Sequence, residues 1–332
     1  CKGCFCGTCI ETCIKLGTAL VDLYVKCGLL LEARRVHDEL PIRDVVTWNA
    51  IISGYVQQGQ GEEALICFTC MQEEGFSPDV ITLTCIVKAC GSTGAIEKGK
   101  EIHDDINSKG LLGKHIVLGN ALVDMYAKCG ALAKAKNVIN DLPSRDIVSW
   151  STLISGYAQQ GQGQDALNCF ELMTCDGVSP NGITFVSVLN ACSHSGLVDQ
   201  GQMHFENMSQ KYGITPNIDH LTCMIDLFGR AGHFDKAVGM LKKIPSLNYP
   251  PIWRSLLGAC RKWANVKLGR LAFDNVTRLD DNVGVAYVFM ASIYAAADMQ
   301  EEAQSVESIR LKKIKHRPKG AYNSLSTVTT LL

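Results

Sequence analysis

The sequence predicts an all-α fold: a right-handed α-solenoid of helix–turn–helix hairpin repeats. Three observations carry the prediction. Residues 45–68, VVTWNAIISGYVQQGQGEEALICF, return 102 residues later as IVSWSTLISGYAQQGQGQDALNCF at 147–170, with 15 of 24 positions identical. The preceding block, TALVDLYVKCG at 18–28, returns as NALVDMYAKCG at 120–130 and more weakly as TCMIDLFGRAG at 222–232. Within a repeat the apolar residues fall at helical spacing. A period this long, held through several sub-blocks, marks a stacked array in place of one enzyme core.

Each element follows from that spacing. Trp48, Ile51, Ile52 and Tyr55 recur at i, i+3, i+4 and i+7 and so share one helix face. Gly59 and Gly61 interrupt the pattern, as residues that tolerate a left-handed helix end. Ala64, Leu65, Phe68 and Met71 form a second stripe that stops before Gly75 and Pro78. Pro78-Asp79, Pro180-Asn181 and Pro216-Asn217 then mark loops between hairpins, because proline disfavours helix continuation. One such hairpin cannot bury its stripe alone, so neighbours must stack on it. The predicted units are 14–44, 45–79, 80–115, 116–146, 147–181, 182–217 and 218–249. Their lengths cycle as 31, 35 and 36 residues before a closing unit of 32. Residues 1–13 are expected to be the remnant of a preceding repeat, 250–317 two further hairpins of a different pattern, and 318–332 a tail.

Composition narrows the function classes. Hydrophobic residues make up 47% and charged residues 20% of the 332, as in a folded chain. A net charge of -1 carries no global basic signal, so contact with nucleic acid must rest on local placement. The apolar runs are too short for a bilayer span, which argues against a membrane partner. The chain opens on Cys1 instead of Met, so the natural N-terminus, with any targeting peptide there, is expected to lie outside this sequence.

The 16 cysteines fall into two groups. Cys27 and Cys129, Cys67 and Cys169, and Cys90 and Cys192 are repeat-equivalent and read as small packing hydrophobes. Cys1, Cys4, Cys6, Cys9 and Cys13 contain two Cys-x-x-Cys pairs, back to back without the loop a zinc site uses. No metal and no cofactor is expected.

The repeat detail resembles the pentatricopeptide repeat family, specifically its plant subclass of alternating long and short motifs (P-L-S). Asn120-Ala-Leu-Val-Asp-Met-Tyr-Ala-Lys-Cys-Gly130 is similar to the short motif, and Val46-Thr-Trp-Asn-Ala-Ile-Ile-Ser-Gly-Tyr55 to the standard one. The likeness covers roughly residues 14–317. Ile252-Trp253-Arg254-Ser255-Leu256-Leu257-Gly258-Ala259-Cys260, with Tyr287 and Ser292-Ile293-Tyr294, is similar to the extension motifs that close such arrays. The family's usual Pro-Asp before the first extension is here Asn248-Tyr249.

The resemblance implies single-stranded RNA as partner, read one base per repeat from the concave face. In the family the fifth and last residues of a motif read the base, and second-position residues sandwich it. By that correspondence Val46, Val117 and Val148 stack on bases, and four fifth–last pairs read them. Asn49 with Asp79 and Asn120 with Asp146 match uridine, Thr18 with Asp44 guanine, and Ser151 with Asn181 adenine. The chemistry is compatible: an amide offers a donor and an acceptor to uracil's imide edge, and a carboxylate accepts guanine's amino and imino protons. Taken singly, an Asn or Thr near a helix start would be an N-cap. Thr84 with His115, Val186 with Asn217, and Thr222 with Tyr249 match no clear combination, although Thr222 is still expected to be a base-reading residue. The implied register, 5′ to 3′, is G-U-x-U-A-x-x.

Arrays of this subclass resemble specificity factors for cytidine-to-uridine editing in mitochondria or chloroplasts. A deaminase needs His-x-Glu and Pro-Cys-x-x-Cys around zinc. His37-Asp38-Glu39, His204-Phe205-Glu206 and Cys67-Phe68-Thr69-Cys70 imitate the spacing, yet no proline precedes any cysteine. The chain is expected to have no catalytic residue and to be no enzyme. A deaminase-bearing protein would then dock on the extension hairpins. The basic run Arg310, Lys312, Lys313, Lys315, Arg317 and Lys319 reads as an RNA contact near the target or as a solvated helix end. An RNA splicing or stability factor, and a peptide-binding scaffold of the tetratricopeptide type, remain open as alternatives.

Overall fold

The computed structural model describes residues 7–40, 42–280 and 284–315, with side chains from Ile14 to Lys312. Among these the chain forms eighteen helices and no strand. It divides into two compact units, Cys1–Ser187 and Val188–Leu332.

In the first unit the hairpins are α1 (Gly7–Lys26) with α2 (Leu30–Glu39), α3 (Val45–Gln57) with α4 (Gly61–Glu73), α5 (Val80–Thr93) with α6 (Ile96–Ser108), α7 (Ile116–Lys128) with α8 (Leu132–Asp141), and α9 (Ile147–Gln159) with α10 (Gly163–Cys175). First helices pack side by side in a row, α1 on α3, α3 on α5, α5 on α7 and α7 on α9. Each second helix also touches the first helix of the next hairpin, as α2 does α3 and α8 does α9. The boundary between the units falls inside α11 (Gly182–Ser195). The second unit continues with α12 (Val198–Gln210), α13 (Ile218–Arg230), α14 (Phe234–Leu241), α15 (Pro250–Lys262), α16 (Val266–Leu279), α17 (Gly284–Ala296) and α18 (Gln300–Lys315). Here α13, α15 and α17 repeat the row. The architecture is an all-α helical-repeat solenoid.

The stripes read from the sequence form the core. Trp48, Ile51 and Ile52 are fully buried, as are their counterparts Leu153 and Ile154, with Trp150 and Tyr157 nearly so. Cys67, Cys90, Cys169 and Cys192 are buried, and burial pushes their thiols up to about 11, 11, 11 and 12. The packing role expected of Cys27 fails, since it is exposed, and Cys129 is half-buried. Both sit where a first helix ends at the hairpin turn, and there the chain faces solvent.

Helix starts explain the remaining regularity. Asp44, Asp79, Asp146 and Asn217, the last residues of their units, cap the following first helices. Asp44 Oδ1, for instance, accepts the Thr47 backbone N–H at 2.8 Å.

The fifteenth residue of every hairpin is left-handed. Gly59 (φ 74) is typical of the repeats, but Ala264 (φ 49) and Asp298 (φ 58) hold that place in the last two hairpins. A β-carbon there costs roughly 1–2 kcal/mol, against roughly 0.5–1 kcal/mol for glycine's extra unfolded entropy. Ala264→Gly should therefore stabilise the second unit by about 0.5–1 kcal/mol in urea titration. No gain would show that the turn carries no strain.

Candidate functional site

The proposed reading residues lie side by side along the first unit, and the structure joins them by hydrogen bonds. Asn49 Nδ2 donates to both carboxylate oxygens of Asp79, at 3.1 and 3.0 Å. Asn120 Nδ2 does the same to Asp146, at 3.3 and 3.4 Å. The other two pairs are joined through a third residue. Thr18 Oγ1 lies 3.1 Å from Thr47 Oγ1, which donates to Asp44 Oδ1 at 2.7 Å. Ser151 Oγ lies 2.8 Å from Thr184 Oγ1, which donates to Asn181 Oδ1 at 3.1 Å.

That third residue also occurs in the direct pairs. Thr82 donates its hydroxyl to Asn49 Oδ1 at 2.6 Å, and Ser149 donates to Asn120 Oδ1 at 2.5 Å. Thr47, Thr82, Ser149 and Thr184 all stand third in their helices, and their backbone amides also bind the capping oxygen. Sequence reasoning missed them, although Asp/Asn-x-x-Thr/Ser at these four unit junctions was the available signal. The structure also settles the single-residue alternative of capping. The last residue of each pair is the cap, whereas Asn49 and Asn120 lie inside α3 and α7.

The amide orientation follows from chemistry. An ionised carboxylate only accepts, so Asn49 must turn Nδ2 toward Asp79 and leave Oδ1 to the Thr82 hydroxyl. Burial pushes the Asp79 carboxyl up, but bonds from the Thr82 backbone and from the Asn49 and Thr82 side chains outweigh it, and the net shift is below the usual 3.8. Asp146 behaves alike, with Ser149 and Asn120 as donors. Both carboxylates are therefore ionised at neutral pH.

Beside this polar row runs an apolar one. Val46, Val117 and Val148 are 51–61% exposed, and Ile81 and Ile183, which the sequence reading passed over, are 59% and 71% exposed. All five are second residues of first helices. β-Branched apolar side chains held in solvent at a fixed repeat position have no packing explanation in the fold. Cavities open at the same places. One of about 330 Å³ has Val148, Ser151, Asn181 and Ile183 on its wall, and one of about 610 Å³ has Thr18, Asp44, Val46, Asn49 and Ile81.

Of the less clear pairs, Thr84 donates to its own helix at Val80 O, 2.7 Å, as Thr18 also does at Ile14 O, 2.9 Å. Thr222 donates to Ile218 O at 2.7 Å, while the Tyr249 hydroxyl turns to Asp219 Oδ1 at 2.9 Å, a bond that raises the phenol's pKa.

Two of the residues that imitate a zinc deaminase are engaged in packing. Cys67 is buried on α4 with Arg34 Nη1 2.8 Å from its sulfur, and its raised pKa opposes the thiolate a metal needs. His37 is buried against Trp48, ring centroids 4.3 Å apart. No group of three or more His, Cys, Asp or Glu is placed to hold a metal among the described residues. The side chains of Cys1, Cys4, Cys6, Cys9 and Cys13 lie outside them, as do those of Lys313, Lys315, Arg317 and Lys319. No described helix is long and apolar enough to cross a membrane.

Acid should loosen the fold in two stages. Burial lowers the pKa of His37 and His103, so below about 6.5 the unfolded chain binds protons that the folded chain resists. Stability should fall there first. It should fall again below 3.8, where Asp79 and Asp146 are protonated more readily in the unfolded chain. Thermal melts from pH 8 to 3 check this, and a flat midpoint from pH 7 to 5 would refute the histidine stage.

A solenoid of two-helix repeats, with a polar pair and an exposed apolar residue at constant positions, is a modular helical-repeat protein. The comparisons give the family. The PPR repeat family matches residues 43–92 and 145–194, and the PPR repeat matches 18–45, 183–212 and 220–249, together over half of the chain. The chain belongs to the pentatricopeptide repeat family. Among its relatives in Arabidopsis thaliana, chloroplastic CRR2 is 41% identical over 302 residues, 90% of this chain and 45% of CRR2. The mitochondrial protein At2g03880 is 40% identical over 303 residues, 91% of this chain and 47% of that one. The chain spans roughly two fifths to three fifths of the curated relatives it matches. In fold it is similar to the pentatricopeptide repeat protein PPR10 in complex with an 18-nt psaJ RNA element, with a TM-score of 0.73 at 17% identity over 90% of this chain and 45% of that one.

Proposed function

We propose that the chain is a sequence-specific single-stranded RNA-binding array of a plant organelle, reading one base per repeat. The observation that carries this is the coincidence of two rows in the first unit. Bonded polar pairs and solvent-exposed Val or Ile recur at constant repeat positions, with cavities between them. A base fits such a place: its edge meets the polar pair and its faces meet β-branched side chains. Family membership supports the same reading, as does the RNA held by the structurally similar PPR10. The chloroplastic and mitochondrial relatives support an organelle.

The finer assignment follows the pairs. Thr18 with Asp44 reads G, Asn49 with Asp79 reads U, Asn120 with Asp146 reads U, and Ser151 with Asn181 reads A, within G-U-x-U-A-x-x. The units are those of the sequence, with 14–249 as the P-L-S array and 250–317 as two extension hairpins. The array guides cytidine-to-uridine editing, with a deaminase supplied by a protein docked on the extension hairpins. The chain itself does no chemistry.

Binding of the full chain to RNA carrying G-U-N-U-A-N-N, in competition with a scrambled RNA at fixed salt, tests the recognition. Equal affinity for both would refute it. Sequencing organellar transcripts from a plant lacking the gene tests the editing role: an unedited cytidine downstream of a matching site is expected. Altered splicing or transcript abundance with all editing intact would refute it.

A further inference from the structure

The second unit holds a basic cleft of about 700 Å³ between α13, α15 and α17, with Thr222, the fifth residue of unit 218–249, at one side and a set of cations beyond it that no reading pair explains. Arg230, Arg254, Arg261, Lys262, Asp226 and Phe289 are on its wall. Four cations to one carboxylate is a strong local surplus in a chain whose net charge is -1. The cations are held in place. Arg230 Nε is 2.7 Å from Asp226 Oδ2, which Ser193 Oγ also donates to at 2.6 Å. Lys262 Nζ donates to the Arg230 carbonyl at 3.1 Å, and the Arg261 guanidinium lies 4.5 Å from the Phe289 ring centroid.

Arg254 is the most telling of them. Counted from Pro250 it is the fifth residue of its hairpin, and it is ion-paired with Asp280. The sequence separation of 26 is that of Asn120 and Asp146. The pair geometry of the repeats thus persists here, with a long guanidinium in place of a short uncharged reader. Its side chain is 55% exposed, and that of Asp280 is 14% exposed. The apolar row does not persist alike. Asp219 and the half-buried Pro251 stand second in α13 and α15, where the first unit has exposed valine or isoleucine, and the row resumes only at Val285 in α17, 54% exposed. A base beside Arg254 would meet a β-branched side chain on one face at most, and a phosphate needs none.

We propose that this cleft binds the phosphodiester backbone of single-stranded RNA just 3′ of the nucleotide facing residues 218–249, with Arg254 and Arg261 as the principal donors. The proposal rests on the RNA-binding reading above. A guanidinium has five N–H donors in a planar fork, so Arg254 can stay on Asp280 and still present N–H groups to a phosphate. The cleft anchors the strand without reading it.

The test uses the full chain and three RNAs: the seven-nucleotide G-U-N-U-A-N-N, and the same RNA with four uridines added at its 3′ or its 5′ end. The 3′ extension should tighten binding and steepen the decline of log K with log salt, and the 5′ extension should do neither. Arg254→Gln with Arg261→Gln should abolish that gain and reduce the slope by roughly 1.4, two phosphates at about 0.7 each on single strands. That is roughly a sevenfold weaker salt effect between 50 and 200 mM. Affinity for the seven-nucleotide RNA should be unchanged, which also shows that the variant is folded. Lysine at both positions should restore the slope, and four adenines should serve as well as four uridines. The proposal is overturned if the 3′ extension adds nothing, if its gain survives the glutamine variant, or if the gain depends on the added base at constant salt slope. Failure of the wild type to prefer the seven-nucleotide RNA over a scrambled one overturns the reading beneath it, whereas that preference without a 3′ effect overturns this proposal alone.

Discussion

Replacing Trp48 with alanine is expected to unfold the first two hairpins selectively and to leave α9 and α10 protected. Trp48 is fully buried, packs its ring edge-on to His37 at 4.3 Å, and stands fourth in its unit, as Trp150 and Trp253 do in theirs. Truncating such a side chain costs roughly 3–5 kcal/mol, because the site loses transfer energy and keeps a cavity. In a solenoid that loss is shared only with nearest neighbours. Amides of α1 to α4 should therefore lose roughly two to four orders of magnitude of exchange protection, at 1.36 kcal/mol per decade. Val46→Ala, two residues away but exposed, should change stability by no more than about 0.5 kcal/mol. Hydrogen exchange resolved by helix checks the contrast. A uniform loss from α1 through α10 would mean that the unit melts as one body, contrary to the repeat account.

What the sequence revealed and what it hid have the same origin. Helix faces were legible because Trp48, Ile51, Ile52 and Tyr55 sit three and four residues apart, a spacing fixed by helix geometry alone. The hairpin turns were legible because a left-handed residue recurs at one place, as Gly59 shows. The Asn49–Asp79–Thr82 triad was only half legible. Its two ends came from a family correspondence, and the hydroxyl that bridges them comes from the next unit, 33 residues from Asn49. No periodicity within a helix points across that gap. Cys27 was misread for a related reason. Its repeat partner Cys129 is half-buried, but identical letters do not ensure identical depth at the end of a helix. Ile81 and Ile183 were passed over because they lie in the longer units, whose reading pairs are unclear, yet their exposure matches that of Val46.

Asn49→Thr should convert the repeat proposed to read uridine into a guanine-reading one, and the bonds around Asp79 supply the reason to expect a clean exchange. The chain already contains the product arrangement one repeat earlier. There the Thr18 hydroxyl bonds the Thr47 hydroxyl, which bonds Asp44. A threonine at position 49 would find Thr82 and Asp79 in the equivalent places. Asp79 would lose the two bonds from the Asn49 amide but keep the Thr82 backbone N–H at 2.9 Å, so it stays a satisfied cap. The stability cost should be about 1.5–3 kcal/mol, that of a hydrogen bond to a charged group. Without the amide, the carboxylate is free to accept the amino and imino protons of guanine. Uracil has a single imino proton to offer there and loses the complementary amide. A well-placed base contact is worth roughly 1–3 kcal/mol of discrimination, so a switch of about several-fold to a hundred-fold is expected. Neither residue is charged, and the phosphate contacts are untouched, so the salt slope should not move. Competition between U- and G-bearing oligonucleotides at that one position, for wild type and variant, measures the switch. Equal loss of affinity for both would mean that Asn49 serves only to hold Asp79, and the one-base reading of this repeat would fall.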